Sequence, residues 1–433
     1  MKGFINMEKF DSPQYVRSRR AYITQCTVEY FVSLLVTDAF LSRLLSNVGM
    51  SDSLVGIISS FVTLAFVFQF LTLFVVKIKA SSKKLVMIFD TLSILCYMFM
   101  YFIPFLPFST MYKSIFLMVA LLGAYIFKYL ILNICFKWGN SFVEPTHRAS
   151  FSAGKEMISL FTGMIFTALM GYAIDKYEAA GNLSGGFLFI ALSILVLNIC
   201  NFISLALIKR DEPEQNLQEN EPVTKVIKKL MANKSFKSVI VLTVLWDVAR
   251  YFSVGFLGIF KYKDLLMTAF LVQVINIIAN VARMFVSKPF GRYSDRTSFS
   301  KGFKLGLCLA AASFFVNIFV TKSTWVLIIV HTVLYNCCMA GTNQNSFNIV
   351  YSYVDSQYIT QAMAIKNCIG GLFGFGASLI GGKILEIIQS NGNMVFGVHI
   401  YGQQILAVIS FAVTVVAIIY TQKVIEKQKV MIQ

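Results

Sequence analysis

Apolar runs of roughly 20 residues recur along the chain from Ala21 to Tyr420, parted by short polar stretches. None alternates with period two, so each run reads as a membrane-length helix and not as a barrel strand. Hydrocarbon offers no partner to a bare peptide group, and a helix satisfies its own. The runs predict about twelve spans, at 21–46, 53–77, 85–106, 113–136, 155–177, 185–208, 237–260, 265–288, 302–321, 325–350, 362–388 and 399–421.

The longest polar interruption, Lys209 to Lys234, lies near the middle of the chain. It predicts a six-helix bundle over 1–208, a cytoplasmic linker over 209–236 and a second six-helix bundle over 237–433. Asp211 to Glu221 is acidic and interrupted by proline, hence irregular. Val223, Val226, Ile227 and Leu230 follow at helical spacing opposite Lys225, Lys228 and Lys229, as in an interfacial amphipathic helix or a solvated linker helix. The two halves also share a pattern at an offset of 211 residues: Glu144 with Asp355, Ala153 with Ala364, Lys155 with Lys366, Gly163 with Gly374 and Gly171 with Gly382. Parallel repeats of six spans are a known way of building transporters. The expected fold is therefore an all-α integral membrane protein of two pseudo-symmetric bundles.

Composition supports the membrane reading. Only 14% of the 433 residues are charged and mean hydropathy is +0.70, whereas soluble domains carry about 25% charged residues. The net charge of +17 would suit a nucleic-acid binder, but the basic residues gather in alternate loops. Arg17, Arg19 and Arg20 precede span one; Lys77, Lys79, Lys83 and Lys84 follow span two; Lys288, Arg292, Arg296 and Lys301 follow span eight; and Lys423, Lys427 and Lys429 close the chain. By the positive-inside rule both termini face the cytoplasm, as an even span count requires, and no nucleic-acid partner is expected. The first span has no signal-peptide cleavage pattern and is read as retained. All eight cysteines fall within spans, and His147, His331 and His399 have no ligand spacing, so no metal or other cofactor is expected.

At this point the sequence resembles the major facilitator superfamily. Gly291-Arg292-Tyr293-Ser294-Asp295-Arg296 is similar to that family's cytoplasmic signature, Gly-x-x-x-Asp-Arg, although Ser298, Phe299 and Ser300 stand where Gly and basic residues would follow. The corresponding first-half loop keeps Lys83-Lys84 but has Val75 and Lys79 in place of the Gly and Asp. Pro145 and Arg148 resemble the family's Pro-x-x-Arg stretch after span four. The resemblance implies alternating access through a cavity lined by spans one, four, seven and ten. It also implies a cytoplasmic gate of Gly291, Asp295 and Arg296 with Lys155 and Arg148, in which pseudo-symmetry would bring Asp295 near Lys155. The Gly-Pro signature of proton-coupled drug exporters is missing, since no proline occurs between Pro145 and Pro213.

Ionisable residues deep in a span are functional candidates, because lipid penalises them unless a partner or water compensates. Span one carries Glu29, Asp38 and Arg43; span four Lys128; span seven Asp247 and Arg250; span ten His331, Asn336, Asn343 and Gln344. At about 100° per residue, Gln25, Glu29 and Ser33 form one stripe to which Arg43 returns, while Asp38 falls on the opposite side. Thr243, Asp247 and Arg250 share a face on which acid and base can neutralise each other. Lys128 is either a cavity residue or one whose stem reaches for the interface. His331 is expected to serve packing, and Lys155 and Lys366 to anchor near the cytoplasm. The candidate binding or coupling residues are Glu29, Lys128, Asp247, Arg250, Asn336 and Asn343.

No Gly-x-x-x-x-Gly-Lys-Ser/Thr phosphate loop or His-Glu-x-x-His helix occurs, which argues against an ATP-driven pump and a membrane-embedded enzyme. The leading expectation is a monomeric secondary transporter in the cytoplasmic (inner) membrane, surrounded by lipid and moving a small polar solute with a proton or cation as coupling ion. The alternatives are a non-transporting sensor or lipid scramblase on the same fold, and a drug efflux antiporter.

Overall fold

A computed structural model describes residues 12–75, 83–143, 148–208, 222–355, 358–395 and 397–428. The acidic segment 211–221, Pro145 and most of the loop after span two lie outside them. Fifteen helices carry the fold: α1 (Pro13–Leu35), α2 (Asp38–Asn47), α3 (Asp52–Ser59), α4 (Val62–Val75), α5 (Lys83–Phe102), α6 (Thr110–Ser141), α7 (Arg148–Ala179), α8 (Leu183–Leu207), α9 (Val223–Ala232), α10 (Lys234–Tyr251), α11 (Ala269–Arg296), α12 (Phe299–Asn317), α13 (Leu327–Tyr351), α14 (Ile359–Ser390) and α15 (Gly402–Tyr420). A two-residue hairpin, β1 (Met394–Val395) with β2 (Val398–His399), precedes α15. Among the described residues ten helices are long and apolar enough to cross a membrane. Two more, α1 and α13, have 23 and 25 residues and carry many of the polar positions.

The chain forms two compact units. The first comprises 1–48 and 74–220, the second 49–73 and 221–433. In the first, α1 packs on α7 and α8, and α5 on α6 and α8. Its core includes Tyr15, Tyr22, Val86, Ile131 and Leu205. In the second, α12 packs on α13 and α15, α10 on α14 and α15, and α11 on α13, around Phe236, Trp246, Leu307, Phe314 and Ile365. Large apolar side chains such as Leu169 and Phe285 remain exposed, as a lipid-facing surface requires.

Span two, expected within the N-terminal bundle, packs with the second unit through α3. Ser53 Oγ donates to the Gly382 carbonyl on α14 at 2.8 Å. A Cβ at Gly255 would collide with Ser60 Oγ and the Gly56 carbonyl, so this close approach admits only glycine.

Three spans are interrupted. Span one breaks at Val36 and Thr37, after which Asp38 takes the left-handed φ of 47°. Span two breaks at Ser60, and span seven leaves α-helical geometry after Tyr251, continuing through short 3-10 and π turns to Asp264. The freed carbonyls find side-chain donors. Thr37 Oγ1 bonds the Ser33 and Leu34 carbonyls at 3.2 Å each, and the Tyr101 hydroxyl donates to that of Leu35. Gln403 Nε2 bonds Ser253 Oγ at 2.7 Å and its carbonyl at 3.3 Å. Broken helices are tolerated at membrane depth on this condition.

The helix expected at 223–230 is present as α9. Its Val226 and Leu230 are buried in the second unit's core, so its apolar face is covered by protein and not by lipid or water.

Candidate functional site

In the first unit four helices converge on one polar cluster. Lys128 of α6 pairs with Glu29 Oε1 of α1 and lies 3.3 Å from Asp90 Oδ1 of α5. Asn201 Nδ2 of α8 donates to the other Asp90 oxygen at 2.6 Å. The Asp90 side chain is 1% exposed, whereas Glu29 and Lys128 retain 18% and 22%. Asp90 is thus the dry floor, and the Glu29–Lys128 pair is reachable. Tyr97, Tyr125 and Tyr129 form an edge-to-face series in the same unit, with centroids 6.1 and 6.4 Å apart. The buried amide of Gln25, one turn before Glu29, leaves its Nε2 without a partner among the described residues.

Sequence reasoning singled out Glu29 and Lys128, which meet here, and passed over Asp90 and Asn201, which join them. Asp90 offered a signal, a lone carboxylate five residues into a predicted span. Asn201 offered none, because neutral amides occur widely in packed helices. Lys128 does not extend its stem to the interface; two carboxylates hold it inward.

The stripe expected to join Glu29 and Arg43 does not form, because the break at Val36 and Thr37 places them on separate helices. Arg43 of α2 is buried and bridges Asp175 and Glu178 of α7 at 2.8 Å each. Asp38 stands at the break itself, so a straight-helix comparison with Glu29 does not describe it.

The second unit holds its own charges. Asp247 lies against α14 where Gly370 leaves room; a Cβ there would strike its carboxylate. Lys366 of α14 is 2% exposed and bonds Ser346 Oγ at 2.8 Å, so it is a core cation and not a surface anchor. Asp247 and Arg250 share a helix face but form no ion pair with each other among the described residues. Arg250 instead lies over the Tyr251 ring at 4.6 Å, and its Nε is buried without a hydrogen bond. Tyr335 OH is likewise buried, without a partner among the described residues. Asn336 Nδ2 returns to its own helix at the Thr332 carbonyl, 2.9 Å away, and Asn343 is exposed. His331 is buried, its Nδ1 2.8 Å from Ser313 Oγ. Also in this unit, Asp52 pairs with Lys263 at 2.6 Å and accepts from Gln389 at 2.9 Å.

Of the expected gate residues, Gly291, Asp295 and Arg296 occupy the last turns of α11, where Asp295 is exposed and has no partner among the described residues. Arg148 begins α7, and Lys155 sits 5.3 Å from the Tyr22 ring centroid on the same unit.

Membrane-length helices around buried ion clusters define a multi-pass membrane protein. The pattern of the Major Facilitator Superfamily matches residues 22–379, and the chain belongs to that family. Solved structures agree on the fold. The nucleoside transporter NupG is 14% identical, with a TM-score of 0.68, covering 96% of this chain and 100% of its own. The D-xylose-proton symporter is 12% identical, with a TM-score of 0.68 and coverages of 94% and 97%. A bacterial homolog of the human lysosomal transporter Spinster is 13% identical, with a TM-score of 0.66 and coverages of 95% and 97%. No curated protein matches the sequence.

Proposed function

We propose that this protein is a secondary active transporter that carries a small polar solute across the cytoplasmic membrane by alternating access, coupled to a proton held at Glu29 and Asp90. The observation that carries the coupling is the charge of the first-unit cluster. Two carboxylates face one ammonium, which leaves one negative charge uncompensated beside a dry floor. An unpaired charge in such surroundings costs several kcal/mol, and one added positive charge removes that cost. Lys128 already occupies the space between the carboxylates and repels a second metal-like cation. A proton, which needs no ligand shell, fits there better. Protonation would release Lys128 from one of its two partners and so link proton occupancy to the position of α1 against α6.

In the second unit Asp247, Arg250 and Lys366 leave one positive charge in excess. Arg250 Nε and Tyr335 OH have no hydrogen-bond partner among the described residues. This set supports a solute with an acceptor-rich or anionic group. Nucleosides and pentoses, named for two proteins of the same fold, are the first solutes to try, followed by small carboxylates. Both termini are assigned to the cytoplasm, and the protein is assigned as a monomer.

The test is uptake into proteoliposomes under an imposed pH gradient. The parent should accumulate its solute and acidify the lumen in step. Glu29→Gln should lose gradient-driven accumulation at least tenfold while retaining solute exchange at equal concentrations on both sides. Accumulation by Glu29→Gln at the parental rate would remove the coupling assignment.

A further inference from the structure

We propose that a groove between the start of α1 and the end of α8 binds an anionic phospholipid. The groove has a volume of about 620 Å³ and is lined by Arg17, Arg20, Ala21 and Thr24 of α1 with Ser204 and Leu207 of α8, among others. Its α1 positions recur every three or four residues and therefore lie on one face. From Pro13 to Thr24 that face runs roughly 16 Å along the helix, from ahead of span one into its first turn.

The order of chemistry along the groove follows that of a lipid. Inside the outer lining of Pro13 and Val16, Arg17 and Arg20 stand exposed on the groove wall, one and two turns in from Pro13. Ala21, Thr24 and Ser204 follow one to two turns deeper and are small enough to admit a chain. Beyond them the α8 surface is apolar and uncovered, with Ile203 52% and Ile199 54% exposed. Two planar guanidiniums one turn apart suit the oxygens of a phosphodiester.

Two neighbouring cations, Lys83 and Arg19, are occupied. Lys83 Nζ caps α8 through the carbonyls of Ala206 and Ile208, at 2.5 and 2.7 Å. Arg19 donates to the Phe142 carbonyl at 3.1 Å. Arg17 and Arg20 have no side-chain partner among the described residues. The charge selects an anionic over a zwitterionic headgroup, and the apolar continuation selects a lipid over a free anion.

The experiment measures thermal stabilisation of the purified full chain in detergent on titration with dioleoylphosphatidylglycerol, dioleoylphosphatidylcholine or inorganic phosphate. Phosphatidylglycerol alone should raise the transition saturably. Arg17→Gln/Arg20→Gln should need about 30-fold more of it, from two surface charges. Thr24→Trp, which fills the groove from an exposed position and leaves both arginines in place, should also weaken the response. Arg292→Gln/Arg296→Gln, the same charge loss on another helix end, should respond like the parent. Equal stabilisation by phosphatidylcholine or by phosphate would overturn the proposal. So would an equal loss in the Arg292/Arg296 variant, which would mean diffuse surface charge, or an unchanged response in Thr24→Trp.

Discussion

A carboxylate within a span is informative only through what surrounds it, and Asp247 and Asp38 show the contrast. Asp247 is half-buried in the second unit against Gly370, near Arg250 and Lys366. Asp38 holds a left-handed turn at the first position of α2, a conformation that asparagine also tolerates. Its charge at a helix start is worth about 0.5 kcal/mol. Asp247→Asn should therefore slow uptake at least tenfold at matched expression, and Asp38→Asn less than twofold. Equal rates for Asp247→Asn and the parent across pH would withdraw Asp247 from the site. Glu29, Lys128, Asp247 and Arg250 were legible because lipid makes any deep charge conspicuous. Their pairings were not. Lys128 has two acids within its reach along different helices, and no spacing in the chain reports which helices meet.

Helices were legible as lengths, and their interruptions were not. Hydropathy averages over a turn or more, so Val36 and Thr37, both apolar or small, read as continuous helix. The same averaging sent Arg43 to the Glu29 stripe, although the break turns it towards Asp175 and Glu178. What makes the break affordable is its set of local donors, chiefly Tyr101 on the Leu35 carbonyl. Tyr101→Phe removes that donor and little else. It should lower stability by about 1–3 kcal/mol, the cost of an orphaned buried acceptor. A melting transition within one degree of the parent would mean that water or a rearranged Thr37 satisfies the carbonyl equally well. Gly255 illustrates the converse limit: the sequence contains the glycine, but only the approach of α3 shows why no side chain fits there.

At the scale of the molecule, charge placement was the most readable feature, since loops carry it regardless of helix packing. The alternating basic clusters predict that reporters fused before Met1 and after Gln433 are both active only in the cytoplasm. Activity of either fusion outside the cell would reject that orientation. The matching prediction for Asp295 concerns function against stability. An exposed carboxylate in the last turn of α11 faces the negative end of the helix dipole, and its removal should stabilise the fold by about 0.5 kcal/mol. Asp295→Asn should nevertheless slow transport several-fold if the motif is retained for conformational exchange. Faster or unchanged transport alongside a raised melting temperature would leave Asp295 as a surface charge.

The interruption of span one also has a mechanical consequence. A 23-residue helix is about 34 Å long, so pivoting α1 by about 5° around Val36 and Thr37 sweeps its far end through roughly 3 Å. Glu29, about 11 Å from that pivot, moves about 1 Å. The ion cluster, close to the pivot, thus stays nearly stationary while the arginine-bearing tip travels a distance comparable to an atomic diameter. Leverage of this kind would let an ångström-scale change at a carboxylate be read out at the membrane surface.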